Sequence, residues 1–393
     1  MTSFGKRRGH MQRAGKTRGF TLLELLVSLS IGVLVLGSAV QVYTSSLKAT
    51  MVTSQKAEMQ QDFRAAANLL QRDISMAGSG ALGQQGLAAN SVGLANGSGS
   101  TVPVYPCSAT TCNYINAAPV AYPGSPGAPL VYSITPGHNL GITVNASEGP
   151  TDIITVAYAD GNLALNCYTV DVVNATTIIF ELPTTLPGTC VLPTGVSTPP
   201  ALNAAGIGLQ AGDYILFSQI AAGVVTAVTT ASPTSAAYST AYQVTFNAGD
   251  PGHINQPTVA AGSLKQLSTG ISTTLSAVRL LQITYYLDIS PIDNVTPRLM
   301  RIQNGRPTAP VAEGVSCLKF SYDVDNNGTI VANQATLPTG TTPNEITKVN
   351  ILHMSIRSQV KGMTGYQSLD LQTSVSARNL TMGQEYPISG SAY

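Results

Sequence analysis

Three groups of residues in this 393-residue sequence have types and spacings suited to chemistry. The first is Gly19-Phe20-Thr21-Leu22-Leu23-Glu24, set directly before a long apolar stretch. A glycine lets the backbone enter a narrow protease site with no side chain in the way, so the Gly19–Phe20 bond suits cleavage. Glu24 places a carboxylate at the head of an apolar segment, where a charge is costly and points to a function and a partner. The other reading of Glu24 is a plain signal anchor whose carboxylate sits among lipid headgroups. The second group is Asp323, Asp325, Asn327 and Gly328. It matches the start of a calcium loop, with oxygen ligands at positions 1, 3 and 5 and glycine at 6. Position 12 is Gln334 rather than a bidentate Glu, and no flanking helices are expected. The same residues also suit an Asx-rich hairpin turn, so calcium is the only cofactor the sequence raises.

The third group is the five cysteines, Cys107, Cys112, Cys167, Cys190 and Cys317. None forms a C-x-x-C pair, and the four histidines are scattered, so a metal site is not expected from them. In an exported domain disulfides are the default. Cys107–Cys112 closes a short loop, and Cys167–Cys190 brackets two expected strands, leaving Cys317 free in a strand. There is no G-x-S-x-G, H-E-x-x-H or P-loop, and no His in a context that activates a Ser or Thr, so the chain reads as a non-enzyme.

The elements that position the first group are legible. Residues 25–47 carry no charge, and as a helix they span roughly 35 Å, enough for a bilayer core. Residues 1–19 hold six basic residues and no acid. The positive-inside rule keeps that leader in the cytoplasm and sends the C-terminal bulk across, giving one membrane pass with a periplasmic domain. An ordinary secretory signal is cut after its apolar region. Here the small residue lies before it, so cutting leaves the apolar helix on the mature protein with Phe20 first. Beyond Lys48, Phe63, Ala66, Leu70, Ile74 and Ala77 recur on one helical face, while Lys56, Glu58, Asp62, Arg64 and Arg72 are left for solvent. No Pro occurs between Phe20 and Gly80, and Gly78-Ser79-Gly80 supplies a stop. The sequence thus predicts one helix, with a membrane or filament-core half at 20–47 and an amphipathic half at 48–77 docked on a globular domain.

Gly19, Phe20 and Glu24 resemble the class III signal of type IV prepilins. That resemblance implies a prepilin peptidase that cuts after Gly19 and methylates the amine of Phe20. It also implies that Glu24 pairs with the N-terminal amine of a neighbouring pilin, a pairing that one helical turn of separation allows between staggered subunits. Asp62-Phe63-Arg64-Ala65, Leu69-Leu70-Gln71-Arg72-Asp73-Ile74 and Met76-Ala77-Gly78 resemble the PilW-like minor pilins. The J-type minor pseudopilins of type II secretion share a similar helix end. Ala312–Asn327, and Val349–Ser358 followed by Gln367–Leu380 with Ala377-Arg378-Asn379-Leu380 near its end, also resemble PilW-like chains, more loosely.

Residues 78–150 are rich in Gly, Ala, Ser, Pro and Asn and read as a loop region with few strands. From 151 to 393 short β-branched or aromatic runs recur between turn residues. They are Asp152–Ala159, Leu163–Val170, Thr176–Glu181, Asp213–Ala227, Tyr242–Phe246, Leu280–Asp288, Arg298–Gln303, Cys317–Val324, Ile346–Arg357 and Gln367–Ala377. Gly262–Leu280 is the one later stretch with a helix-like pattern. The expected fold is α+β and pilin-like: one long N-terminal helix packed on an antiparallel β-rich domain with long loops. Only 10% of residues are charged, which is not the composition of a charged cytosolic enzyme. Without the leader, 14 basic residues face 19 acidic ones, so no specific nucleic-acid partner is expected.

The leading function is a minor pilin in type IV pilus assembly, first in the inner membrane and then in the fibre at the cell surface. Its partners are the prepilin peptidase, other major and minor pilins and the inner-membrane assembly platform. A minor pseudopilin shares the same mechanics. A pilus-borne adhesin or ligand-binding subunit differs in class, with the long loops as its contact surface.

Overall fold

A computed structural model describes residues 19–79, 92–94 and 133–377, apart from residues 189, 193, 205, 220–221, 229, 234–240, 248–263, 265–266, 268–269, 273–274, 291, 293–294, 305–309, 340, 342–344 and 360–365. Helix α1, Leu22–Met76, runs unbroken for 55 residues. It ends where the glycines begin: Gly78 adopts φ of +73°, a conformation that glycine enters without steric cost. The Gly78 N–H then donates to Ala157 O at 2.9 Å, tying the helix end to the strand Ile153–Ala159, β3.

The chain divides into two units, at Ala57 and Glu58. In the first, nearly every helical side chain is exposed. In the second, one face of α1 is buried: Met59, Phe63, Ala66, Ala67, Leu70, Asp73 and Ile74. Lys56, Glu58, Asp62, Arg64 and Arg72 are all exposed, as their spacing predicts. Each fully buried Phe, Leu or Ile on that face contributes about 2 kcal/mol.

The β body of the second unit holds three sheets. In the largest, β11 (Ser276–Ile289) is the spine. It pairs with β6 (Tyr214–Gln219) through Ser276–Leu280, with β12 (Pro297–Gln303) through Ile283–Ile289, and with β3 (Ile153–Ala159) through Leu280–Tyr285. β2 (Ile134–Gly137) joins β3, β13 (Pro310–Glu313) joins β12, and β7 (Ala222–Ala227) joins β6. β1 (Val92–Leu94) lies parallel to β7; the other described pairings are antiparallel. A second sheet has the order β10-β4-β5-β9-β8, from Gly270–Ser272, Thr169–Asn174, Thr177–Glu181, Ala241–Thr245 and Thr230–Pro233. A third has the order β15-β14-β16-β17, from Thr329–Gln334, Val315–Asn326, Ile346–Gln359 and Tyr366–Ser376. The α+β, pilin-like arrangement expected from the sequence is thus the one the chain adopts.

Two separate cores fill this body. The first joins the buried face of α1 to Ile154 and Tyr158 of β3, Ile283 and Tyr285 of β11, and Phe320, Tyr322 and Ile351 of the third sheet. The second gathers Val170, Ile178, Phe180, Phe217 and Phe246 between the second sheet and β6. Phe217 stacks on Phe180 at 6.1 Å and meets Phe246 edge-on at 5.6 Å. Three local expectations change. Gly262–Leu280 is not helical where described: Gly270–Ser272 and Ser276 onward are strands, because alternate residues of β11 enter both cores. Leu163–Val170 begins with a 3-10 turn at Leu165–Cys167 before its strand, and Asp213–Ala227 is a hairpin rather than one strand. β1 and β2 fall inside the segment read as loop.

Candidate functional site

The first turn of α1 is closed by a reciprocal cap. Thr21 is its N-cap: Thr21 Oγ1 accepts from the Glu24 N–H at 3.3 Å. Glu24 Oε2 in turn accepts from the Thr21 N–H and from the Thr21 hydroxyl, both at 3.1 Å. This is a capping box, T-x-x-E, satisfying two backbone donors that a helix start otherwise leaves open. The carboxylate is thereby aimed at the helix N-terminus, where the helix dipole favours negative charge. Gly19 has open space around it and Phe20 is 84% exposed, so the Gly19–Phe20 bond is accessible. By length and composition α1 is apolar enough to cross a membrane. Its exposed Leu, Val and Ile side chains, from Leu22 to Leu47, need an apolar environment.

At the other end of the helix sits a charged cluster that the motif reading did not assign. Asp73 is fully buried. Its Oδ2 accepts from Tyr285 OH at 2.7 Å and Arg301 Nε at 2.8 Å, and its Oδ1 from Tyr158 OH at 3.2 Å and Arg72 Nη2 at 3.3 Å. The last helical turn has no basic residue, so the helix dipole opposes this carboxylate and the sheet supplies the balancing charge. Burial pushes the Tyr158 phenol up to about 12, with the Asp73 charge adding to it. Tyr285 is raised further by the same two causes. Burial works against the Arg301 charge, but the hydrogen bond and charge of Asp73 outweigh it and hold the guanidinium above its ordinary value. Both phenols therefore stay protonated donors, and Arg301 stays charged. The sequence carried one signal: Asp73 lies on the Ala66–Leu70–Ile74 face, where a carboxylate needs a partner.

Cys167 and Cys190 are joined by a disulfide. Cys107 and Cys112 lie outside the described residues. Cys317 is free and buried. Burial, and next the hydrogen bond the thiol donates to the Glu148 carboxylate, raises its thiol to about 12, so it behaves as a small, inert side chain. The bridge closes a loop with a sequence separation of 23. Replacing both cysteines by Ser is expected to lower stability by about 3 kcal/mol, read as a lower unfolding midpoint of the full chain in detergent. An unchanged midpoint would show that the second core holds this loop without the bridge.

Asp323, Asp325 and Asn327 build a hairpin. Asn326 pairs with Thr329, and Asn327 and Gly328 form the two-residue turn with φ of 54° and 84°. Asp325 Oδ1 accepts from Gly328 N at 2.7 Å. Asp323 Oδ1 accepts from Asn333 N and Asn350 Nδ2, each at 2.9 Å, and Lys348 Nζ lies 3.8 Å from its Oδ2. Each carboxylate thus already holds protein groups, and a lysine stands beside the first. Among the described residues no three His, Cys, Asp or Glu side chains are grouped to hold a metal ion.

A family model described as the prokaryotic N-terminal methylation motif matches residues 15–40. It supports a type IV pilin-like or pseudopilin role, with processing by prepilin peptidase and assembly with other pilins. It points to a membrane-anchored structural subunit rather than an enzyme. No curated protein and no solved structure matches the chain.

Proposed function

We propose that this chain is a minor pilin of the PilW-like kind, made as a precursor and used in type IV pilus assembly. The observation that carries the reading is Gly19-Phe20-x-x-x-Glu24 at the head of an exposed apolar helix whose residues 58–76 pack into a large β body. Cleavage after Gly19 turns Phe20 into a charged or methylated amine at the head of the helix. Glu24 is the only acid in residues 1–57, so it is the one counter-charge this segment offers to a neighbour's amine. The membrane holds the subunit through residues 20–47 until that pairing and the apolar helix surface draw it into the filament. A β body of this size suits a subunit used in few copies, because bulk limits side-by-side packing. The body faces the periplasm in this reading.

N-terminal mass spectrometry of the protein from a piliated host tests this. The mature chain is expected to begin at N-methylated Phe20, and Gly19→Val is expected to leave only precursor. A mature protein that keeps residues 1–19, or one cut beyond residue 40, overturns the reading. A pseudopilin role is favoured by the similar helix end, Arg72-Asp73-Ile74 to Gly78. Gene disruption separates the two: lost twitching with intact secretion favours the pilus, and the reverse favours the secretion system.

A further inference from the structure

The turn that follows β2 meets β14 at a group of reactive side chains separate from the Asp73 cluster. Lys319 of β14 lies 180 residues from Asn139 in sequence, yet its Nζ donates to Asn139 Oδ1 at 2.6 Å. Nζ also donates to Pro150 O, and Asp152 Oδ1 lies 3.7 Å from it. On the other side, His138 Nε2 lies 2.9 Å from Asn139 Nδ2, and His138 Nδ1 lies 3.3 Å from Asp152 Oδ1. An amine thus touches the oxygen of a primary amide, a ring nitrogen touches that amide's nitrogen, and one carboxylate stands beside both.

Asp152 holds this geometry. It is only 2% exposed and bonds the backbone beside each partner: its Oδ1 accepts from the Asn139 N–H and its Oδ2 from the Phe320 N–H, both at 2.8 Å. Its own N–H donates to Leu318 O at 2.8 Å. Asn139 takes φ of 55°, a left-handed conformation that Asn tolerates and that the Asp152 bond fixes. The Lys319 side chain is 20% exposed, so protein oxygens replace much of the water around Nζ. Lys348 also stands beside an acid, Asp323, but its side chain is 42% exposed and the nearby Asn350 turns Nδ2 toward that acid. A carbonyl bond is about 1.2 Å long, so Cγ of Asn139 lies within about 3.8 Å of Lys319 Nζ, close to a near-attack separation. Asn139 is exposed, which leaves its amide room to turn a face to the amine.

We propose that Lys319 and Asn139 become joined by a side-chain amide bond, a modification the chain performs on itself. Nζ attacks Cγ; the Nζ–Cγ bond forms, the Cγ–Nδ2 bond breaks, and Nδ2 leaves. A lysine ammonium and a primary amide go in, and a secondary amide and an ammonium ion come out. Atoms and charge balance with no oxidant, reductant or cofactor. The protons that Nζ sheds go to Nδ2. Asp152, beside Nζ, is the base that receives them, and His138 Nε2, beside Nδ2, delivers them to the leaving nitrogen. The His138 Nδ1 contact lets Asp152 hold the ring in that position. Fixing amine and amide together makes fast a reaction that free side chains perform very slowly. The bond ties the turn after β2, in the largest sheet, to β14 in the third. The two sheets then cannot be drawn apart at this point without breaking a covalent link.

The test is peptide mapping by mass spectrometry of the full chain, purified in detergent, reduced, and digested with trypsin and chymotrypsin. A non-reducing map of the same sample, showing the Cys167–Cys190 bridge, establishes that the chain is folded. The expected product is a branched species joining the peptide that holds Asn139 to the one that holds Lys319. It is about 17 Da lighter than the two together, the mass of one ammonia. Lys319→Arg keeps the charge but offers no attacking amine, and is expected to lack this species, as is Asn139→Ala. On a reducing denaturing gel the unaltered chain is expected to run faster than either variant, because the bond closes a large loop. In newly made chains sampled over time, His138→Gln is expected to form the branch at least about tenfold more slowly. Both peptides recovered unbranched from the folded chain, Asn139 found converted to Asp, or a branch that survives in Lys319→Arg overturns the proposal. An equal rate in His138→Gln overturns the proton delivery assigned to that ring. The bond involves no residue of the processing signal, so its absence leaves the pilin reading standing.

Discussion

Asp73→Asn is expected to destabilise the β body by about 3–5 kcal/mol. The variant keeps the shape of the side chain and removes its charge. Arg301, whose side chain is 16% exposed, then lies largely buried beside a neutral amide. One amide oxygen must also serve donors that two carboxylate oxygens now share: Tyr285, Arg301, Tyr158 and Arg72. Arg72 is 61% exposed, so its share is small. Arg301→Gln alone is expected to cost a similar amount, since it leaves Asp73 buried without its main counter-charge. The double variant should lose clearly less than the two single losses combined, because each change removes the charge the other leaves stranded. Chemical unfolding of the full chain in detergent, followed by tyrosine near-UV signal, measures all three. Additive losses, or a loss below about 1 kcal/mol for Asp73→Asn, would show that the packing of Phe63, Leu70 and Ile74 alone seats the helix.

This cluster also marks where sequence reasoning reaches its limit. Local patterns were legible. The apolar face Phe63–Ala66–Leu70–Ile74, the stop at Gly78 and the alternation of β14, which sends Leu318, Phe320, Tyr322 and Val324 into the core, all follow from periods of 3.6 and 2. The Cys167–Cys190 pair was legible because its cysteines bracket β4 and β5. What was not legible is pairing across long separations. Asp73 and Arg301 lie 228 residues apart, and Arg279 and Asp160 119 apart. No periodicity connects such residues; only the completed sheet does. For the same reason the sequence listed the strands in order but not which of them pair, such as Ala159 of β3 with Leu280 of β11. The helix-like run at Gly262–Leu280 misled because Leu264, Leu267 and Leu275 mimic helical spacing, while all three face the second core.

Glu24→Ala is expected to abolish assembly while sparing cleavage and membrane insertion. Gly19 and Phe20 are untouched, so the peptidase should still cut. The uncharged stretch 25–47 is intact and one costly charge is gone, so insertion should hold or improve. An unpaired amine in a low-dielectric filament core is penalised by about 3 kcal/mol or more, which corresponds to roughly a hundredfold loss of co-purifying partner pilins. The Ala variant alone is ambiguous, because it also removes the cap that Glu24 forms with Thr21. Loss of that cap is worth about 1 kcal/mol and frays the first turn. Glu24→Gln separates the two roles. A Gln at this position still closes a capping box, since its side-chain oxygen can accept from Thr21, but it brings no charge to a neighbouring amine. If the charge is the docking element, Gln should fail nearly as completely as Ala. Thr21→Val, which keeps the charge and breaks the hydroxyl bond, should assemble with only a modest loss. If instead Gln assembles normally and Thr21→Val fails with Ala, then Glu24 acts by holding the helix start in shape. The pairing with a neighbour's amine would then have to be given up, while the processing signal at Gly19 and Phe20 would stand.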